Sequence, residues 1–283
     1  MSALVQVFEA EFMRRALLEA VLAGALCGAV GVHVLLRRLP FFTMAMGHAT
    51  FPGVVLASLL GIDLLLGAGL FGLVVILAVS LVASSERIDE TSATGVVLAG
   101  AFSLGVLLVA TRPGFSRDLA AFLVGSVVSV RWPEVLGTAA IGLVVATGLA
   151  ALHKELVLGA FDRTTQAALG FPATAIDIGF LVLLELALVA SVPAVGTILA
   201  VALLTAPAAA ARLWTDRLGP AMALAAGIGA ASGVVGLAVS ALWRVAAGPT
   251  IVLVATAVFA VSFLVGPCGG LLRGRRAASP APA

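Results

Sequence analysis

Charge is what this chain has least of: only 11% of its 283 residues are Asp, Glu, Lys or Arg, while 62% are hydrophobic and the mean hydropathy is +1.21. Soluble domains are roughly a quarter charged and half apolar, so a water-facing globule is excluded. Lysine is nearly absent. Lys154 is the only one, and it follows His153 rather than a glycine-rich loop, so no G-x-x-x-x-G-K-[ST] nucleotide site can form. Cysteine is scarce too: Cys27 and Cys268 lie near opposite ends of the sequence, form no C-x-x-C pair and read as small apolar filler. The net charge of +2 comes from basic residues scattered singly or in pairs, which excludes a nucleic-acid surface. The opening residues, MSALVQVFEAEFMRR, have acids before the basic pair and no apolar core before a cleavage site, unlike a signal peptide.

What remains is lipid-soluble. Apolar runs recur from Ala16 to Pro267, each near the roughly 20 residues a helix needs to cross a bilayer. The expected fold is an all-α polytopic membrane protein: one transmembrane domain over 1–270 and a disordered, Pro/Ala-rich cytoplasmic tail over 271–283. Polar breaks delimit nine candidate spans, at about 16–36, 41–60, 64–83, 93–110, 134–152, 174–192, 195–211, 219–242 and 248–265, with eight as the alternative if two runs merge or one is re-entrant. The apolar stretch Leu119 to Val130 is too short to cross and reads as re-entrant or interfacial. With the N-terminus outside, ten basic residues fall in inner loops and six in outer ones, so the positive-inside rule favours N-out, C-in. Small residues three or four apart, as in GALCGAVG (24–31) and GIGAASGVVG (227–236), let helix backbones approach closely. Packing within the chain is the more economical reading than a dimer face.

The polar exceptions point to chemistry. In MAMGHATFPG (44–53), Met44 and His48 stand four apart on one helix face, so a thioether and an imidazole can address one ion. Pro52 lacks the N–H that would bond back to His48, and Gly47 and Gly53 flank this weak point, so the helix can be locally unwound or gated there. Glu185, midway in FLVLLELALVA, has to face protein or water as a pathway group or as a structural partner of another span. Asp177, His33 and His153 sit at span ends, where interfacial placement explains them. The inner loop HKELVLGAFDRTTQAALGFPAT carries a short helix from Asp162 to Leu169 with an Asp N-cap, ended by Gly170 and Pro172. An apolar face with Phe161, Ala167, Ala168 and Leu169 suits docking.

Several separated segments together resemble one family, the membrane permeases of metal-type ABC importers. FMRRALLEAVLAGALCGAVGVHVLLRRLPFFTMAMGHATFPGVVLA resembles its first two spans with the His-centred signature. ELVLGAFDRTTQAALGFP is similar to its ATPase-docking loop, and SVPAVGTILAVALLTAPAAAARL and GPTIVLVATAVFAVSFLVG resemble later spans, so the likeness runs from about Phe12 to Gly266. The resemblance implies a vitamin B12-type ABC importer permease architecture in the bacterial cytoplasmic (inner) membrane. It implies a homodimeric pore, separate cytosolic ATPase subunits that hold the ATP, and an extracytoplasmic metal-binding protein. Such a chain is no enzyme and binds no resident cofactor; a Zn or Mn ion is its cargo. His48 and Met44 would meet the ion. Phe161, Asp162, Arg163, Gln166, Ala167 and Gly170 would couple to the ATPase. The family signature has Asp where this chain has Met44, and a soft sulfur in place of a hard oxygen favours zinc. Manganese or iron-chelate import are the alternatives within the class. A proton- or sodium-driven carrier with Glu185 as its proton site is the alternative outside it.

Overall fold

The computed structural model describes residues 10–85, 87–110, 125 and 127–268. The N-terminal stretch, most of the segment from Leu119 to Val130 and the tail over 271–283 lie outside them, as do five arginines of the charge count, Arg112, Arg117, Arg273, Arg275 and Arg276. The described residues are helical throughout: α1 (Glu11–Leu36), α2 (Pro40–Ala49), α3 (Phe51–Leu60), α4 (Leu64–Ala83), α5 (Glu90–Ala110), α6 (Trp132–Ala151), α7 (His153–Phe161), α8 (Arg163–Ala168), α9 (Ala173–Arg212), α10 (Leu218–Trp243) and α11 (Ala247–Val265), with a short 3-10 turn at Val127–Ser129. Helices are the form an apolar chain takes in lipid, because each backbone group must find its partner within the segment.

Local signals set the ends. The Asp63 carboxylate accepts from the Leu65 and Leu66 amides at 2.9 and 3.0 Å to cap α4. Asp89 accepts from Thr91 and Ser92, both at 3.1 Å, ahead of α5. The same Ser92 hydroxyl and amide hold the Asp89 carboxyl below the usual aspartate range. Gly61 ends α3 with φ 71, a conformation that suits glycine.

Eight helices among the described residues are long and apolar enough to cross a membrane, with α2 and α3 counting as one 21-residue span. The seventh apolar run differs from the expectation. Gly196, at φ 75 and ψ 167, breaks α9 into two limbs, Ala173–Val192 and a shorter Ala200–Arg212. The limbs run in opposite directions. Ala190 near the top of the first meets Thr138, whereas Asp177 near its foot and Ala208 and Ala211 of the second lie beside the C-terminal end of α1. The second limb is about 20 Å long at 1.5 Å per residue, short of the roughly 30 Å hydrocarbon core. The chain path therefore follows the nine runs, and eight of them are full-length spans.

At the centre lies α1, wedged between α9 and α10 through backbone-to-backbone contact. A Cβ on Gly28 would land on the Ala225 carbonyl, and one on Gly31 on that of Leu204. The small-residue stripe at 24–31 and the glycines Gly229, Gly233 and Gly236 of the second stripe thus pack within the chain. Polar groups cross-link the same core: Thr138 Oγ1 donates to Glu19 Oε1 at 2.8 Å and lies 3.2 Å from the Ala190 carbonyl.

Candidate functional site

The signature residues stand where the helix ladder is interrupted. Thr50 separates α2 from α3, its amide still bonding back to Met46 at 3.1 Å, while beyond Pro52 the Gly53 amide reaches only three residues back, to Thr50, at 3.0 Å. A missing donor at Pro52 tightens the first turn of α3 in this way. The Thr50 hydroxyl faces the Gly47 carbonyl at 3.4 Å.

Met44 and His48 share the outward face of α2, as their spacing requires. Met44 is 42% exposed and His48 is half-buried. The imidazole meets the edge of Phe102 on α5, ring centroids 6.4 Å apart at 84°, and with Gly95, Leu98 and Ala99 it lines an open groove of about 330 Å³. Phe102 also packs on Phe51 at 5.7 Å, so α5 forms the second wall of the groove. Among the described residues no three His, Cys, Asp or Glu side chains come together; Met44 and His48 bring one thioether and one imidazole to this face.

Gly47, Pro52, Gly53 and Glu185 lie behind this face and are buried. Gly53 is where α3 crosses α4, since a Cβ there would land on the Gly67 carbonyl and on Phe71. Glu185, 1% exposed, does not enter the groove of His48. It lies against Gly72 and borders a separate cavity of about 10 Å³ with Met46, Gly47 and Thr50, room for about one water. Neither of its carboxylate oxygens has a hydrogen-bond partner among the described residues.

The loop after α6 folds as a helical hairpin, α7 and α8. Asp162 caps α8: its carboxylate accepts from the Thr165 hydroxyl at 2.5 Å and from the Thr165 amide at 2.9 Å. These bonds hold the Asp162 carboxyl below the usual aspartate range. Gly170, at φ 80, turns the chain out of α8. Gln166 is buried, with Nε2 donating to the Glu155 carbonyl at 3.1 Å over Gly159, where a Cβ would sit 2.6 Å from its Oε1. It locks α8 onto α7. Phe161 and Leu169 are 75% and 63% exposed and Ala167 is exposed beside them, an apolar face that none of the described residues covers.

Three residues read as ordinary interfacial ones have a different setting. Asp177 receives Arg37 at 2.5 Å and Arg163 at 2.7 Å. His33 is fully buried, its ring 6.2 Å from that of His153 and 5.9 Å from Phe180. Sequence spacing could not reveal Arg37 with Asp177, which are 140 positions apart, nor Phe102 beside His48.

The sequence profile of the ABC 3 transport family matches residues 9–266. The chain is 36% identical to the manganese transport system membrane protein MntC of Halalkalibacterium halodurans, across 96% of this chain and 94% of that one. It is 38% identical to the zinc transport system membrane protein TroC of Treponema pallidum, across 96% and 95%. The solved structure of PsaBC from Streptococcus pneumoniae in complex with Fab superposes with a TM-score of 0.87 at 31% identity, covering 97% of this chain and 99% of that one. The ion-driven carrier alternative gives way to this match. Like its relatives the chain is a multi-pass protein of the bacterial inner membrane, and ATP hydrolysis belongs to a separate subunit. It belongs to the ABC 3 transport family, the membrane permeases of metal-type ABC importers.

Proposed function

We propose that this chain, as a homodimer, forms the membrane path of an ATP-driven importer of a divalent transition metal, zinc by the chemistry of its donors. The observation that carries the reading is Met44 and His48 together on the outward face of α2, with His48 lining an open groove. Two donors are too few for an ion that prefers four. A second copy seated on this face would bring its own imidazole and thioether and complete the set. Soft sulfur and imidazole suit zinc better than manganese, which favours carboxylate and water. Manganese is the second reading, favoured by the likeness to MntC along almost the whole chain.

Cytosolic ATPase subunits take the exposed apolar face of the α7–α8 hairpin, and an extracytoplasmic metal-binding protein delivers the ion at the opposite end of the bundle. Gly47, Pro52 and Gly53 give the break at which α2 shifts against α3, and Glu185 packs behind that break. An importer must release what it binds, and a site shared between two copies can be opened by moving them apart. The test is uptake of radioactive zinc and of radioactive manganese by vesicles holding the chain with its ATPase and binding protein. Uptake that needs ATP and favours zinc supports the reading; manganese preference moves it to the second; transport without the ATPase overturns it.

A further inference from the structure

We propose that the Asp177 carboxylate, held by Arg37 on one side and Arg163 on the other, is the link that carries movement of the docking hairpin to the helix bearing His48. The proposal rests on the transport reading above. Arg37 caps the C-terminal end of α1, and only Arg38 and Leu39 separate it from Pro40, where α2 begins. From there α2 runs without interruption to Ala49, with His48 in its last turn. Arg38 holds φ 59, a left-handed conformation rare outside glycine, Asn and Asp, which fixes the direction in which α2 leaves α1.

The two arms of the link differ in character. Arg37 Nη1 donates to Asp177 Oδ1 at 2.5 Å, and its Nη2 to the Leu156 carbonyl of α7 at 3.3 Å. Its guanidinium carbon lies 5.2 Å from the Phe180 ring centroid, and its side chain is only 8% exposed. Arg37 is thus fixed by its surroundings, and removing Asp177, whose side chain is 26% exposed, would strand its charge. Arg163, in the first turn of α8, donates to Asp177 Oδ2 at 2.7 Å with its side chain 68% exposed. A solvated arm of this kind breaks and re-forms at little cost. One carboxylate on α9 thus joins a permanent tie to α1 with a releasable tie to the hairpin.

The adjoining space gives the link room to act. A cavity of about 520 Å³ lies between the turn Leu36–Leu39 and the hairpin residues Gly159–Phe161, and Glu90 in the first turn of α5 lines it too. Both walls of the His48 groove, α2 and α5, therefore begin at this cavity. A displacement at the foot of a rigid helix is felt at its far end. Hairpin movement into the cavity would shift α2 and α5 together and change the opening at His48.

The test uses the permease co-purified with its ATPase and reconstituted with the binding protein, comparing wild type with Asp177→Asn and Asp177→Glu. ATPase binding, ATP hydrolysis and metal carried per ATP hydrolysed are read separately. Asp177→Asn should keep ATPase binding and hydrolysis while losing most of the metal carried per ATP, and Asp177→Glu should restore it. A merely structural role would lower all three in parallel, and that result, or a wild-type ratio in Asp177→Asn, overturns the proposal. Should Asp177→Asn fail to fold, Arg163→Gln cuts only the exposed arm. In co-purified complexes the ratio per ATP should fall again, and an unchanged ratio overturns the proposal. Failure of the transport reading looks different, since wild type itself would then show no ATP-dependent uptake.

Discussion

A Cβ on Gly24 would land on the carbonyl oxygen of Gly229, and a Cβ on Gly229 would land on that of Gly24. The two glycines are where α1 and α10 touch backbone to backbone, the closest approach that lipid-embedded helices use in place of a hydrophobic drive. Gly24→Leu or Gly229→Leu should force the helices apart and lower stability by about 1–3 kcal/mol or more, the usual range for overpacking. Gly227 faces open space, so Gly227→Ala should leave the melting temperature in detergent unchanged or raised. Equal loss in all three variants would contradict the packing described.

The hairpin depends on two local devices, the Asp162 cap and the left-handed Gly170. Asp162→Ala and Gly170→Val should each fray α8, seen as faster amide exchange over residues 165–168, and weaken co-purification of the ATPase. The pH dependence has a definite sign. Hydrogen bonds from Thr165 hold the folded carboxyl below its unfolded value, so the cap's contribution is present above the ordinary aspartate pKa and is lost as pH falls through the depressed one. Exchange protection corrected for intrinsic rates should be flat from neutral pH down to the ordinary aspartate range. Loss already near neutral pH would contradict the cap.

Glu185 separates shape from charge. It fills the notch over Gly72 behind the α2–α3 break, away from the groove of His48. Glu185→Gln keeps that shape and should retain protein level and metal uptake. Glu185→Ala opens a cavity beside the break and should lose stability. A folded Glu185→Gln protein without uptake would show instead that the ion or a proton uses the carboxylate.

In the proposed site Met44 is the residue that sets the choice of metal. Met44→Asp exchanges a soft sulfur for a hard anionic oxygen on the same face as His48 and should raise manganese uptake relative to zinc. Competition between the two ions in one uptake assay measures the shift. An unchanged ratio would remove Met44 from selectivity.

Much of this was legible in the residues themselves, for local reasons. Asp162, Gly170 and Pro172 are short-range signals, and the hairpin folds where they stand. Met44 and His48 share a face because a helix repeats every 3.6 residues. Elsewhere the apolar helices carry no polar stripe to show which side faces inward. The face on which Glu185 lies therefore came only from packing. The separation of the runs at 174–192 and 195–211 was legible, but not that the second limb of α9 would begin only at Ala200 or that Gly196 would make the break with a positive φ. The joining of Arg37, Asp177 and Arg163 needs three elements brought together, with no spacing in the chain to mark it.

The most direct measurement is ATP-driven metal uptake by vesicles containing the complete complex with His48→Ala, at matched protein level and with the ATPase still bound. An imidazole that meets the passing ion predicts that uptake is lost while ATP hydrolysis persists. Wild-type uptake in that variant would contradict the account.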